Sequence, residues 1–335
     1  MSRLNALHSW VNETHPAPFD ALTPASADAS FRRYFRWTRG GETLIVMDAP
    51  PDKEDCHPFV AVARLFAEAG VHVPQVLRAD FGQGFLLLTD LGRTTYLEAV
   101  SSPEADPAAV QQYYRDALGA LVTLQRASRP GVLPEYDEAL LRREVGLFPE
   151  WYVARHLGAT LSEREQQAYA QCVDALIANN LAQPRVFVHR DYHSRNLMVC
   201  PPNPGILDFQ DAVHGPITYD AVSLLKDAYV HWEEAQILDW LVRYWEAARA
   251  AHLPVDADFG RFYRDFEWMG VQRHLKVLGI FARLCHRDGK PGYLQDLPLV
   301  LQYLRDACGR YRELKPLSQL LERLSGEEVA VGYTF

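Results

Sequence analysis

Between residues 186 and 209 the chain sets three short apolar runs among polar segments of fixed length, and this stretch limits the fold more than any other. Val186-Phe187-Val188 leads into His189-Arg190-Asp191-Tyr192-His193-Ser194-Arg195-Asn196. Leu197-Met198-Val199 follows, then Pro202-Asn203-Pro204-Gly205, then Ile206-Leu207, which ends on Asp208-Phe209. Apolar runs this short suit buried strands rather than helices, and the Pro/Gly segment is a turn. The pattern predicts a small β-hairpin inside an otherwise helical region.

Three polar positions in this stretch have a chemical use. Asp191, just past a buried strand, can accept the proton of an attacking hydroxyl. Asn196, five residues on, can offer a neutral oxygen to a divalent cation. Asp208, at the end of the opposite strand, can offer a charged one. Phosphoryl transfer asks mainly for positioning and charge neutralisation, and these groups supply both.

The chain on either side differs in kind. Phe31 to Thr38 and Thr43 to Asp48 are rich in aromatic and β-branched residues, with Arg39-Gly40-Gly41-Glu42 as the turn between them. A helix is predicted from Pro58 to Gly70, with Phe59, Val62, Phe66 and Ala69 on one face. Gln75 to Ala79 and Phe85 to Thr89 read as two further strands. After Gly92 the period becomes helical. Asp106-Pro107 opens a helix striped by Val110, Tyr114, Leu118, Leu121 and Leu124. Ser162-Glu163-Arg164-Glu165 is a capping box for a helix running to about Leu181. Two long helices, about 219–231 and 233–251, and a helical C-terminal third complete the reading. The fold class is α+β: a small β-rich lobe over residues 1–91, and a larger, mostly helical lobe over 92–335 that holds the hairpin.

The net charge of -9 argues against nucleic-acid binding, which wants a basic face. Met1 to His15 is polar and lacks the apolar core of a signal peptide, and no run approaches the roughly 20 apolar residues of a membrane span. The five cysteines are scattered without metal-ligand spacing and read as reduced thiols, so the expected setting is the cytoplasm. Nothing in the pattern requires a membrane or an obligate protein partner.

The H-x-D-x-x-x-x-N segment with its following Asp-Phe resembles the catalytic loop and metal-binding Asp of the aminoglycoside phosphotransferase and choline kinase group, relatives of the protein kinases. The resemblance implies a bilobal kinase-like fold, ATP as co-substrate, and Mg²⁺, or Mn²⁺ with its similar oxygen preference, on Asn196 and Asp208. It assigns Asp191 as the catalytic base, with His189 and Asp220 as supports of the loop. Phe85 to Gly92 resembles the hinge, so backbone groups at Leu88 and Asp90 would meet adenine. Three further stretches, Ala27 to Arg36, Val46 to Pro51 and Met269 to Gly279, look like the bacterial anomeric sugar kinases of cell-wall recycling. Such enzymes phosphorylate N-acetylmuramate and N-acetylglucosamine at C1.

Two features depart from the kinase pattern. The stretch facing the phosphates, Ala25 to Ser30, has no glycine, although its small residues, Ser30 among them, still let backbone N–H groups approach. The strand Leu44 to Asp48 has no Lys, and the middle of the next helix has no Glu to pair with one. Another cation must then touch the phosphates, and Arg32, Arg33 and Lys53 are the candidates. Neighbours on a strand point to opposite faces, so only one of Arg32 and Arg33 can serve.

For the acceptor, the candidates are His193 and Arg195 in the loop, Gln210 and Asp211 after the metal Asp, and Gln272, Arg273 and His274. Glu150-Trp151-Tyr152 offers aromatic faces for a pyranose. Two other readings stay open: a kinase of the same fold acting on an amino alcohol or aminoglycoside, and a nucleotide-binding regulator without catalysis.

Overall fold

The computed structural model describes residues 3–14, 21–27 and 31–326. In chain order its elements are α1 (Arg3–Thr14), β1 (Ala21–Ala27), β2 (Arg33–Arg39), β3 (Glu42–Asp48), α2 (His57–Glu68), β4 (Val76–Asp80), β5 (Phe85–Thr89), α3 (Tyr96–Ser101), α4 (Pro107–Arg126) and α5 (Glu138–Val145). They continue with α6 (Glu163–Ala182), β6 (Arg185–Val188), β7 (Leu197–Met198), β8 (Gly205–Ile206), β9 (Val213–Pro216), α7 (Tyr219–Leu225), α8 (Glu234–Ala250), α9 (Phe259–His286), α10 (Leu297–Arg310) and α11 (Lys315–Ser325). A π-helix, Phe148–His156, lies between α5 and α6.

The chain divides into two compact units: Met1–Leu124 with Arg195–Ala212, and Gln125–Ser194 with Val213–Phe335. This division runs beyond the break expected at residue 91. The first unit takes residues 195–212 because backbone bonds tie the β7–β8 hairpin into it. Ile206 N–H donates to the His72 carbonyl at 2.7 Å and Val199 N–H to that of Thr94 at 2.9 Å. The Asn203 amide donates to the Tyr96 hydroxyl and the Asp116 carboxylate, each at 2.8 Å.

The first unit is built on an antiparallel sheet in the order β1-β2-β3-β5-β4. Gly40 and Gly41, both at positive φ, make the tight β2–β3 turn, with Arg39 opposite Glu42. Gly84 (φ +69) turns β4 into β5, and a Cβ there would fall 1.8 Å from the Ala49 carbonyl oxygen. Helix α1 was not legible in the polar start of the chain. Its Leu7, Trp10 and Val11, at i, i+3 and i+4, pack against Trp37, Val46, Phe85 and Leu87 of the sheet.

In the second unit β6 pairs with β9, Val186 facing Gly215 and Val188 facing Val213. The expected hairpin therefore consists of β7 and β8 alone, and Val186–Val188 pairs with β9 instead. Helix α9 is the central element. Every residue from Phe266 to Gly279 is buried, the mark of a helix packed on all sides. A Cβ at Gly279 would lie 2.5 Å from the Leu147 backbone, so only glycine lets the π-helix segment sit so close. Helix α7 stops at Leu225, short of the expected 231, because Asp227 turns its carboxylate to the Tyr229 N–H at 3.1 Å and leaves the helical path. Among the described residues no helix is long and apolar enough to cross a membrane.

Candidate active site

In the first unit the β7–β8 hairpin brings Asn196 and Asp208 together at its open end, where Leu207 N–H donates to the Asn196 carbonyl at 2.9 Å. Asp208 sits at φ +61, a left-handed conformation that costs energy for a non-glycine residue. What holds it there is the next residue. Phe209 is fully buried, with its ring 4.9 Å from Phe59 and 5.8 Å from Phe66 of α2. The apolar face read on α2 thus anchors the segment that aims Asp208.

Three side chains surround the Asp208 carboxylate. The Asn196 amide lies 3.4 Å from Oδ2, Gln210 Nε2 donates to Oδ1 at 2.9 Å, and an Arg32 guanidinium nitrogen reaches Oδ1 at 3.3 Å. Arg33 turns the other way, its Nε 3.1 Å from the buried Asp48, which also accepts from Arg3 at 2.6 Å. Lys53 is half exposed and lies 6.0 Å from the Phe31 ring. Arg33 opens β2 and Arg32 precedes it; the two take different carboxylates, and Arg32 is the one beside Asp208. Among the described residues no three His, Cys, Asp or Glu side chains form a metal cluster. The fitting donors are oxygens of Asp208 and Asn196, hard ligands few enough to leave positions for phosphate oxygens and water, as Mg²⁺ prefers.

Of the positions read as nucleotide-facing, Ser30 lies outside the described residues. Ala25 to Ala27 form the end of β1 rather than a loop. Leu88 is buried in β5. The Asp90 carboxylate is taken by Arg36, at 2.5 and 3.0 Å, and by Gly92 N–H at 3.0 Å. Burial pushes that carboxyl up, and the hydrogen bonds from Arg36, Thr43 and Gly92 outweigh it and hold it low. Any contact of Asp90 with adenine falls to its backbone.

In the second unit the loop 189–194 is braced from beneath by two carboxylates. Asp220 accepts from His189 N–H at 2.6 Å and Arg190 N–H at 3.0 Å. Asp227, seven residues on, accepts from Ser194 N–H at 2.9 Å. Burial raises the Asp220 carboxyl to about 7, against the two backbone donors that lower it. His189 is fully buried, and its Nδ1 accepts the Asp191 N–H at 3.2 Å. Arg190 lies at φ +78, a second left-handed residue, immediately before Asp191. Burial raises the Asp191 carboxyl, but the charges of Lys276, His193, Arg273 and Arg190 prevail and bring it down to about 2. Asp191 is thus held as a carboxylate, able to accept a proton.

The residues read as acceptor contacts scatter. His193 sits in the loop, its ring edge-on to Tyr229 at 5.3 Å. Arg195 and Gln210 lie in the first unit, each partly exposed. Arg273 is buried, with Nε donating to the Ser223 hydroxyl at 2.6 Å, and its charge acts on Asp191. Gln272 is fully buried and donates to the Leu141 carbonyl at 3.0 Å, which makes it part of the core. His274 is buried too, its Nε2 3.2 Å from the Lys226 carbonyl. Tyr152 stacks on Phe148 at 5.4 Å inside the unit, while Trp151 is partly exposed. Three residues escaped the sequence reading: Asp227, Glu144 and Lys276. Their only signal was their charge, which nothing in the neighbouring sequence set apart from that of solvated residues.

A model of the phosphotransferase enzyme family matches residues 21–263. Over 333 residues the chain is 52% identical to a protein of Pseudomonas aeruginosa named N-acetylmuramate/N-acetylglucosamine kinase, covering 96% of this chain and 97% of the other. A protein of the same name from Neisseria meningitidis is 52% identical over 337 residues, covering both chains completely. Among solved structures, choline kinase LicA from Streptococcus pneumoniae superposes with a TM-score of 0.64 at 10% identity, covering 91% of this chain and 100% of that one. That last likeness is one of fold, and it agrees with the α+β kinase-like class.

Proposed function

This chain belongs to the phosphotransferase enzyme family, and from that premise we propose that it is an ATP-dependent kinase of amino sugars. It places phosphate on the anomeric hydroxyl of N-acetylmuramate and N-acetylglucosamine, giving sugar 1-phosphates for peptidoglycan recycling. The observation that carries this reading is half identity, over essentially the whole chain, to two proteins named for those sugars.

Asp191 orients the sugar hydroxyl and accepts its proton. The cations around it favour the carboxylate form. Because phosphoryl transfer passes through a loose transition state, the proton leaves late, and a weak base is enough. A hemiacetal hydroxyl is more acidic than an ordinary alcohol, which suits such a base. Asn196 and Asp208 would hold Mg²⁺, whose charge would offset that of the nucleotide phosphates. Arg32 supplies the cation that the Lys-free strand lacks. The five cysteines carry free thiols, in keeping with a cytoplasmic enzyme that draws on ATP.

The test is to incubate the protein with Mg²⁺-ATP and either sugar and to assign the product by phosphorus–proton coupling. Coupling to the anomeric proton is the expected result. Phosphate on the 6-hydroxyl, or turnover only with amino alcohols or aminoglycosides, would overturn the proposal.

A further inference from the structure

We infer that Lys276 is a positioning residue for phosphoryl transfer: through Glu144 and Arg190 it fixes the backbone that carries Asp191. The inference rests on the reading of Asp191 as the base. Its evidence lies within the second unit.

Lys276 lies in the stretch of α9 that is buried on all sides. An ammonium there is costly, and for packing alone a Met or Leu would serve better. Its Nζ donates to the Tyr219 hydroxyl at 3.0 Å and lies 3.2 Å from Glu144 Oε1. The same oxygen accepts from the Arg190 guanidinium at 2.5 Å, while the Tyr136 hydroxyl donates to Glu144 Oε2. One buried carboxylate is thus clamped between two cations and a phenol.

The purpose of the clamp follows from what Arg190 does. Its left-handed backbone turns the chain so that the next residue, Asp191, leaves β6 in its new direction. A long side chain does not choose that conformation unaided. Arg190 is therefore held at both ends, its N–H by Asp220 and its guanidinium by Glu144. Without Lys276, Glu144 would keep one cation, lose its registration against Tyr219, and release the far end of Arg190.

The charges acting with and against Asp191 come from three elements: Arg190 and His193 of its own loop, Arg273 and Lys276 of α9, and Asp220 of α7. Lys276 is the foremost of the charges favouring the carboxylate. Its removal should loosen the loop and let Asp191 take up a proton at higher pH.

The experiment compares Lys276→Met, Lys276→Arg and the double variant Lys276→Met/Glu144→Gln with the wild type. It reads kcat, the KM for ATP, the thermal midpoint and the pH dependence of kcat. Lys276→Met should lower kcat by about 10²-fold, as a displaced catalytic group does, with the KM for ATP nearly unchanged and the acid limb moved to higher pH. Lys276→Arg should recover part of kcat. A merely structural lysine would move the thermal midpoint and leave both the acid limb and the kcat of folded protein alone, and that result would overturn the inference. If Lys276→Met does not fold, the double variant, which removes equal and opposite charges, decides. It should remain impaired, and wild-type kcat from it would show that Lys276 only neutralises Glu144. Asp191→Asn is measured alongside. Wild-type turnover there would sink the reading of the base itself, whereas an inactive Asp191→Asn beside a normal Lys276→Met would sink only the role of Lys276.

Discussion

Arg32 and Asp208 are 176 positions apart in sequence, yet a guanidinium nitrogen of the first stands 3.3 Å from a carboxylate oxygen of the second. Arg33, next in the chain, is spent on Asp48 instead. In the proposed function this guanidinium would take the electrostatic role of the lysine that the strand lacks. The carboxylate and the nucleotide phosphates would then draw on the same local positive charge.

It follows that Arg32→Ala should raise the KM for ATP by about 10- to 100-fold, the loss of one or two charge-assisted hydrogen bonds. Arg33→Ala should leave that KM alone and lower the thermal midpoint, because the fully buried Asp48 would lose its ion pair with Arg33 and lean on Arg3. Steady-state kinetics and a melting curve on both variants check this. Equal, small kinetic effects would return the phosphate role to Lys53 or to backbone N–H groups.

Asp208→Ala should abolish Mg²⁺-dependent nucleotide binding, since this carboxylate would be the charged ligand of the metal that neutralises the nucleotide phosphates. Phe209 and its packing on Phe59 and Phe66 stay in place, so the thermal midpoint should change little. Relief of strain at φ +61 does not accompany the change, because alanine tolerates that conformation no better. Isothermal titration with Mg²⁺-ATP is the measurement. Unchanged affinity would remove Asp208 from the metal site.

Local signals carried much of the fold and of the candidate site. The capping box at Ser162 and Glu165 forms as read, and α2 buries the face that its period marked. Asp191, Asn196, Asp208 and His189 were legible because a strand–loop–strand motif sets them by spacing within a few residues. Partners that come from far along the chain were not. Strand β9 became a strand only by pairing with β6, and the stripe of α1 acquires meaning only against a sheet. Alternation showed that Arg32 and Arg33 must part company, but not which way each would turn. Helix α9 misled for a different reason. Buried on all sides, it has no polar face to read, so Gln272 resembled a substrate contact although its amide serves a backbone carbonyl. Lys276 carried no signal beyond its charge.

Asp191→Asn should keep the shape of the loop and remove proton acceptance, lowering kcat by roughly 10²–10⁴-fold while ATP binding survives. The same variant tests the ionisation. The folded Asp191 carboxyl stands at about 2 against an ordinary 3.8, a depressed value. Such a group contributes stability that is fully present above the unfolded pKa and is lost as pH falls through the folded one. Below the range where Asp220 titrates, the stability gap between wild type and Asp191→Asn should therefore be level near about pH 5 and shrink toward pH 2. Urea midpoints across that range measure it. A gap that does not narrow would mean that the cations of α9 do not act on Asp191.

The final prediction concerns how the acceptor is told apart from its free amine. At neutral pH glucosamine carries an ammonium, and N-acetylglucosamine a neutral amide. The second unit surrounds Asp191 with Arg190, His193, Arg273 and Lys276, all of which favour negative charge, so a further cation entering there would meet repulsion. A site that hydrogen-bonds the amide would also leave its own polar groups unpaired when the acetyl group is missing, a penalty that exceeds the loss of a mere methyl contact. Both effects act in the same direction, and kcat/KM for N-acetylglucosamine should exceed that for glucosamine by about 10²-fold or more. The N-acetylmuramate lactyl carboxylate, being negative, should carry no such disadvantage. The measurement is ATP consumption over a range of concentrations of the three sugars. Glucosamine turned over as readily as its N-acetyl form would refute both the electrostatic argument and the proposed acceptor.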